Sequence, residues 1–183
     1  MKANNPKLKR AVFLDRDGTL IEEADYLARA EDLKLFPFAA QAIRLLNEND
    51  FLVILITNQS GVGRGFFDEN ALAEIHAKLV SDLSEDGAAL DAIYFCPHTP
   101  ENDCACRKPK TAMIERAARD FAIDLVNSWT IGDKAFDVEL GFNAGTKSAL
   151  VLTGYGIEER ERLREKPDLI AENLLEAVKA IKN

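Results

Sequence analysis

Ala11-Val-Phe-Leu-Asp15-Arg-Asp17-Gly-Thr19 is the stretch that fixes how the rest of the chain is read. Four apolar residues followed at once by a carboxylate predict a short buried strand over residues 11–15 that ends on Asp15. Gly18 lets the chain turn directly afterwards. Carboxylates at 15 and 17, two apart on a tight post-strand loop, can point at one centre. An ordinary Asp-Gly turn accounts for the same five residues, so the choice between the readings falls to the rest of the chain.

Outward from this segment, residues 51–56 are apolar without alternation, the pattern of a strand covered on both faces of a parallel sheet. A helix is expected over 38–48, with Ala39, Ala42, Ile43, Leu45 and Leu46 facing inward. Asp68 is placed to cap a second helix carrying Leu72, Ile75, Leu79 and Leu83 on one stripe. A strand at 92–95 leads into an irregular segment, 96–110. A helix over 111–122, a strand at 128–131, a helix over 135–144, a strand at 148–152 and a closing helix over 171–182 follow. Leu174, Leu175, Val178 and Ile181 form the inward stripe of that last helix. Strands alternating with helices predict an α/β fold with a doubly wound parallel sheet. In such a sheet ligands bind beyond the carboxyl ends of the strands, where Asp15, Thr57 and Asp133 are all expected.

The 183 residues suit one domain spanning 1–183 and leave little room for a second. Against 31 Asp and Glu stand 23 Lys and Arg, a formal charge of −8 that argues against a nucleic-acid partner. An anionic metabolite is not excluded, because charges beyond about 8–10 Å are screened at physiological salt and the local charge of a site matters more. No apolar run approaches the roughly 20 residues that span a bilayer, and no apolar signal region follows the basic first ten residues. The expectation is a cytoplasmic chain without a membrane partner. Nothing in the pattern suggests a coiled coil or a swapped arm, so a monomer is expected.

All three cysteines and one of the two histidines fall in Cys96-Pro-His98-Thr-Pro-Glu-Asn-Asp-Cys104-Ala-Cys106. An odd, clustered set is a poor disulfide framework. The C-x-H-x5-C-x-C spacing instead offers the Cys₃His donor set of a tetrahedral zinc site. Four protein ligands leave no open position, so such a zinc would be structural, pinning the loop and fixing Arg107 and Lys108 immediately behind it. A loop with incidental thiols is the alternative. His76 lies far from any second ligand and reads as a structural histidine, as Trp129 and Met113 read as packing residues.

Four motifs in order, DxD at 15–17, Thr57 after a second strand, Lys108 before a helix, and Gly132-Asp133-Lys134 with Asp137, resemble the haloacid dehalogenase superfamily of phosphotransferases. The resemblance runs over residues 11–154. It implies that Asp15 attacks phosphorus and that Asp17 protonates the leaving oxygen and later deprotonates water. It further implies Mg²⁺ held by Asp15, the Asp17 backbone carbonyl and Asp133, with Thr57 and Lys108 on the phosphoryl group. Asp137 would orient Lys108 or a metal-bound water. The stretches Asp15–Thr19, Thr57–Gly65, the cysteine loop running into Arg107-Lys108-Pro109, and Leu152-Thr-Gly-Tyr-Gly156 narrow the resemblance to the heptose bisphosphate phosphatases. The phosphatase domain of histidinol-phosphate phosphatase shares the cysteine-loop design.

That narrower resemblance implies a fold without a large cap domain and a small phosphorylated metabolite as partner. Its reaction would remove the C7 phosphate of a heptose 1,7-bisphosphate. Glu23, Ala24, Asp25 and Tyr26, with Thr57, Asn58, Gln59 and Ser60, would contact the sugar. Arg107 would take the distal phosphate or hydroxyls, and Lys134 would meet the substrate near the metal. Two departures from the family pattern stand out. Ile21 replaces a frequent Asn, and Lys110-Thr-Ala-Met113 replaces a Pro-Gly-Met tendency. A zinc-stabilised binding module without catalysis is the alternative from a different class, and the joint presence of Asp15, Asp17, Thr57, Lys108 and Asp133 speaks against it.

Overall fold

The computed structural model describes residues 8–182; the other residues of the expected 1–183 domain, including most of the basic start, lie outside the described residues. Six parallel strands form the sheet: β1 (Ala11–Leu14), β2 (Leu52–Asn58), β3 (Ala92–Cys96), β4 (Trp129–Gly132), β5 (Lys147–Val151) and β6 (Leu169–Ala171). Their order is β3-β2-β1-β4-β5-β6. The helices are α1 (Ala39–Glu48), α2 (Ser60–Gly63), α3 (Glu69–Glu85), α4 (Ala112–Phe121), α5 (Ala135–Ala144), α6 (Gly156–Arg160) and α7 (Leu174–Ile181).

The sheet carries a core on each face because successive strand side chains point to opposite sides. Val12, Leu14, Val53 and Leu55 pack with Ile43 and Leu46 of α1, Ile75, Leu79 and Leu83 of α3, and Leu174, Val178 and Ile181 of α7. Phe13, Ile54 and Ile56 pack on the other side with Met113, Ile114 and Ala117 of α4 and Leu140 of α5. Both faces being covered explains why 51–56 reads as an unbroken apolar run. Asp68 caps α3 as expected, accepting from the Ala71 N–H at 2.8 Å.

Three elements were not legible in the sequence pattern. α2 is one turn, α6 is five residues long, and β6 is a three-residue edge strand beside β5, all too short to show a period. The expected helix over 171–182 therefore begins late. Ala171 closes β6, and Asn173 caps α7 by accepting from the Glu176 N–H at 3.1 Å. β2 runs further than expected and takes in Thr57 and Asn58, because the ladder to β3 continues through Thr57↔Phe95 and Asn58↔Cys96.

The chain leaves β1 for β2 and β3 on one side, then returns to β4 on the other side of β1. The crevice between the carboxyl ends of β1 and β4 is the topological switch point where doubly wound sheets hold ligands. Asp15 follows β1, Asp133 follows β4, and Thr57 sits near the end of β2. Behind β1 the chain folds into a tight flap, in which the Gly18 N–H donates to the Ile21 carbonyl at 2.9 Å and Ile21 bridges Leu35. Ile21 is fully buried, so the apolar residue at this departure anchors the flap to the core.

Ile54→Ala is expected to cost about 2–5 kcal/mol in urea unfolding, the usual range for emptying a buried aliphatic site. Val126→Ala, at a position 72% exposed, is expected to stay within about 0.5 kcal/mol. Equal effects would contradict this placement of the core.

Candidate active site

Lys108 is almost fully buried, with its ammonium 2.8 Å from Asp15 Oδ1 and 2.6 Å from Asp137 Oδ1. Two elements place it there. The loop after Cys106 carries it in, and the Asn58 side chain at the end of β2 grips its backbone, accepting from the Lys108 N–H at 3.0 Å and donating to its carbonyl at 3.4 Å. Burial alone would lower the Lys108 pKa, but Asp137 and Asp15 outweigh it and raise it. Asp137 comes from the first turn of α5, where a carboxylate is favoured by the helix dipole. Burial takes its pKa up to about 6 against the pull of Lys108.

Asp133 completes the group, and carboxylate oxygens of Asp15, Asp133 and Asp137 lie within 4.8 Å of one another. Burial, then the charges of Asp15 and Asp137, push the Asp133 pKa up to about 8. Its Oδ2 accepts from the Tyr155 N–H at 2.8 Å, whereas its Oδ1 is buried without a protein partner. A Cβ on Gly18 or Gly154, both at positive φ, would sit 2.2 Å from Asp133 Oδ2, so only glycine lets the two loops close round this carboxylate. With all three carboxylates ionised against one ammonium the buried group would carry two surplus negative charges, and the raised Asp133 pKa reflects the cost of that surplus. The donor set and the orphaned Oδ1 fit a hard divalent cation.

Asp17 does not join that trio. Its carboxylate turns to Arg16, taking Nε at 3.1 Å on Oδ2 and Nη2 at 2.9 Å on Oδ1, and to Gln59 Nε2 at 2.9 Å. The two carboxylates therefore have different partners, Asp15 the Lys108 ammonium and Asp17 the Arg16 guanidinium, while Asp17 still lines the cleft. The physical reason is Arg16, 1% exposed, which needs a counter-charge close by. Gln59 Nε2 also donates to Thr57 Oγ1 at 2.8 Å. Arg16 was not singled out from sequence, although an arginine between two aspartates on a loop behind a buried strand was its visible signal.

Beside these groups lies a cleft of about 270 Å³ whose lining includes Asp17, Glu23, Asn58, Ser60, Arg107 and Lys134. Ala24, Asp25, Tyr26 and Gln59 line it too, while Thr57 is wholly buried. Lys134 pairs with Glu23 at 2.9 Å. Burial would lower its pKa, but Asp15, Asp133 and Glu23 raise it instead. Asp25 accepts from the Tyr155 hydroxyl at 3.3 Å, and Tyr26, at φ 60°, stacks edge-on against Phe66 at 4.8 Å. Arg107 Nη1 donates to the His98 carbonyl at 3.2 Å.

The Gly-rich stretch after β2 spends most of its N–H groups on its own backbone. It coils into α2, and the N–H groups of Val62, Gly63, Arg64, Gly65 and Phe66 all go to backbone carbonyls, that of Gly63 to Pro97 at 2.9 Å. His76, half-buried, lies with Nε2 3.5 Å from Arg16 Nη1.

Cys96, His98, Cys104 and Cys106 converge as expected. Their sulfurs are 3.0 to 3.5 Å apart, and His98 Nδ1 is 3.3 Å from Cys106 and 3.6 Å from Cys96. A disulfide would need about 2.05 Å. A tetrahedron with metal–sulfur bonds of about 2.3 Å has edges of about 3.8 Å, close to this arrangement. Burial pushes the Cys96 thiol up. It also raises Cys104, but S–H donation from Cys96 and Cys106 outweighs it and brings that thiol to about 6. A thiolate in the cluster suits a metal ligand.

A HAD-hydrolase-like family model matches residues 105–177. A D-glycero-D-manno-heptose-1,7-bisphosphate 7-phosphatase of Thermosynechococcus vestitus is 42% identical over 185 residues, covering 93% of this chain and 94% of that protein. A D-glycero-beta-D-manno-heptose-1,7-bisphosphate 7-phosphatase of Haemophilus ducreyi is 38% identical over 93% of this chain and 97% of its own length. Among solved structures, the D,D-heptose 1,7-bisphosphate phosphatase of B. bronchiseptica, complexed with magnesium and phosphate, superposes with a TM-score of 0.89 at 34% identity, covering 94% of this chain and 97% of that one. With full-length relatives at these identities and a shared fold around the same switch point, this chain belongs to the heptose-1,7-bisphosphate 7-phosphatase family of HAD-like hydrolases.

Proposed function

We propose that the chain, acting as one catalytic domain, removes the C7 phosphate of D-glycero-D-manno-heptose 1,7-bisphosphate on the route to nucleotide-activated heptose. The observation that carries this reading is the buried contact of Lys108 with Asp15 at the switch point. Family membership supports the substrate.

Phosphate monoesters hydrolyse among the slowest of reactions, and enzymatic accelerations reach about 10²¹-fold. An anion attacking an anion needs neutralisation and in-line approach. Lys108 holds one oxygen of Asp15 and leaves the other to reach phosphorus, forming an aspartyl-phosphate. Asp17 protonates the leaving sugar oxygen, then takes a proton from the water that cleaves the acyl phosphate. Thr57 donates its hydroxyl to the phosphoryl group, and Asp137 fixes Lys108. Asp15, Asp133 and the Asp17 backbone carbonyl would hold Mg²⁺, which supplies charge neutralisation between nucleophile and phosphate. Cys96, His98, Cys104 and Cys106 would hold a structural zinc that keeps the loop bearing Arg107 and Lys108 in place.

In the cleft, Arg107 suits the phosphate that is kept, since a guanidinium binds phosphate in a two-pronged fashion. Lys134 meets the substrate near the metal, and the segments 23–26 and 58–60 border the sugar. Glu23 is already paired with Lys134, and Asp25 with Tyr155. Neither is a spare carboxylate for an amine, which favours the sugar over histidinol phosphate.

Asp15→Asn should lose turnover by at least about a thousandfold, as removal of a nucleophile does. Its melting temperature should hold or rise, because one of three crowded charges is gone; near-normal activity would remove the nucleophile assignment. A side-by-side kcat/KM comparison should favour heptose 1,7-bisphosphate over histidinol phosphate by at least about a hundredfold, in line with polar-group discrimination. The opposite preference would replace the substrate. Metal analysis should find one zinc per chain, and Cys106→Ala should lower the melting temperature by more than about 5 °C. A zinc-free protein of unchanged stability would dismiss the structural metal.

A further inference from the structure

Gln59 lies in the cleft wall, yet both donors of its side chain and one of the two lone pairs on its oxygen are already engaged. Its Oε1 accepts from Arg16 Nη2 at 2.9 Å, and its Nε2 donates both to Asp17 Oδ2 at 2.9 Å and to Thr57 Oγ1 at 2.8 Å. The orientation is fixed by chemistry: turned over, the amide would set its NH₂ against a guanidinium and its oxygen against a carboxylate. The residue is 5% exposed, and Arg16 behind it is 1% exposed. Gln59 is therefore poorly placed to read a sugar hydroxyl.

We infer that Arg16 and Gln59 form a clamp that positions the Asp17 carboxylate for proton transfer, Gln59 being a positioning residue rather than a substrate contact. An ionised carboxylate offers about four lone-pair sites. Arg16 Nε and Gln59 Nε2 fill those of Oδ2, and Arg16 Nη2 takes one on Oδ1. One site, on Oδ1, stays open on a residue that lines the cleft, so the proton that Asp17 gives and recovers has a single address. Arg16 is in turn backed by His76, whose Nε2 stands 3.5 Å from Nη1. Burial, then the Arg16 charge, take the His76 pKa down to about 4, which keeps the ring neutral and its nitrogen able to accept.

The inference rests on the phosphatase reading above and on Asp17 as its acid. General acid catalysis matters for a poor leaving group such as a sugar alkoxide and little for nitrophenolate, which needs no proton. With purified full-length protein and Mg²⁺, Gln59→Leu should lower kcat/KM on heptose 1,7-bisphosphate by about 10- to 100-fold, a part of what a general acid supplies. On 4-nitrophenyl phosphate the loss should be several-fold smaller, since only the Gln59 contact with Thr57, and not proton delivery, bears on that ester. In an Asp17→Asn background, Gln59→Leu should cause little further loss on the bisphosphate, as residues acting as a unit are non-additive. Gln59→Met, of similar length, provides the same test should the leucine variant fold poorly, with the melting temperature as control. Equal losses on both esters, or full additivity with Asp17→Asn, would overturn the clamp while leaving the phosphatase reading intact. Absence of Mg²⁺-dependent turnover in the unmodified protein would instead remove the reading itself.

Discussion

The ammonium of Lys108 sits in the interior between Asp15 and Asp137, and much of the molecule follows from the need to keep it there. A lone buried ammonium costs several kcal/mol or gives up its proton. Two carboxylates from opposite sides of the switch point remove that cost, and Asp133 then adds a charge that the lysine cannot balance. Ionised together, the three carboxylates carry more negative charge than the lysine neutralises, a surplus that a divalent cation would offset.

Fold and site are linked through the strand order. Only a chain that winds outward from β1 in one direction and then in the other brings the ends of β1 and β4 side by side with a gap between them. The thiol loop has a mechanical part in this. It is tethered to the end of β2 through the Gln59 N–H to the Cys96 carbonyl at 2.7 Å and the Gly63 N–H to the Pro97 carbonyl, and it passes directly into Arg107 and Lys108. A loop with little regular structure would otherwise carry the lysine loosely. The grip of Asn58 on the Lys108 backbone gives the ammonium a defined position, and a metal ion held by the four donors would add to it.

The sheet and its long helices were visible in the sequence because buried strands and amphipathic helices leave periodic traces. The Asp68 cap and the inward stripe of α7 were visible for the same reason, whereas β6, α2 and α6 were too short to leave one. The group around Lys108 was legible from motif order, which places residues at strand ends. Motif order says nothing about how side chains share partners. Asp17 pairs with the buried Arg16, a partner that no motif announces. Asn58 lines the cleft, and its side chain also holds the Lys108 backbone, a second task that its place in the motif does not reveal. Both outcomes are decided by which buried donor must be satisfied, a three-dimensional condition with no sequence period.

The most direct measurement is a rapid quench of the enzyme during turnover of a radiolabelled phosphate ester, followed by borohydride reduction and peptide mapping. The account predicts a transient acyl phosphate on the peptide that carries Asp15, recovered as a reduced residue at that position alone. Product formation with no covalent label, or a label on Asp17 or Asp133, would contradict it.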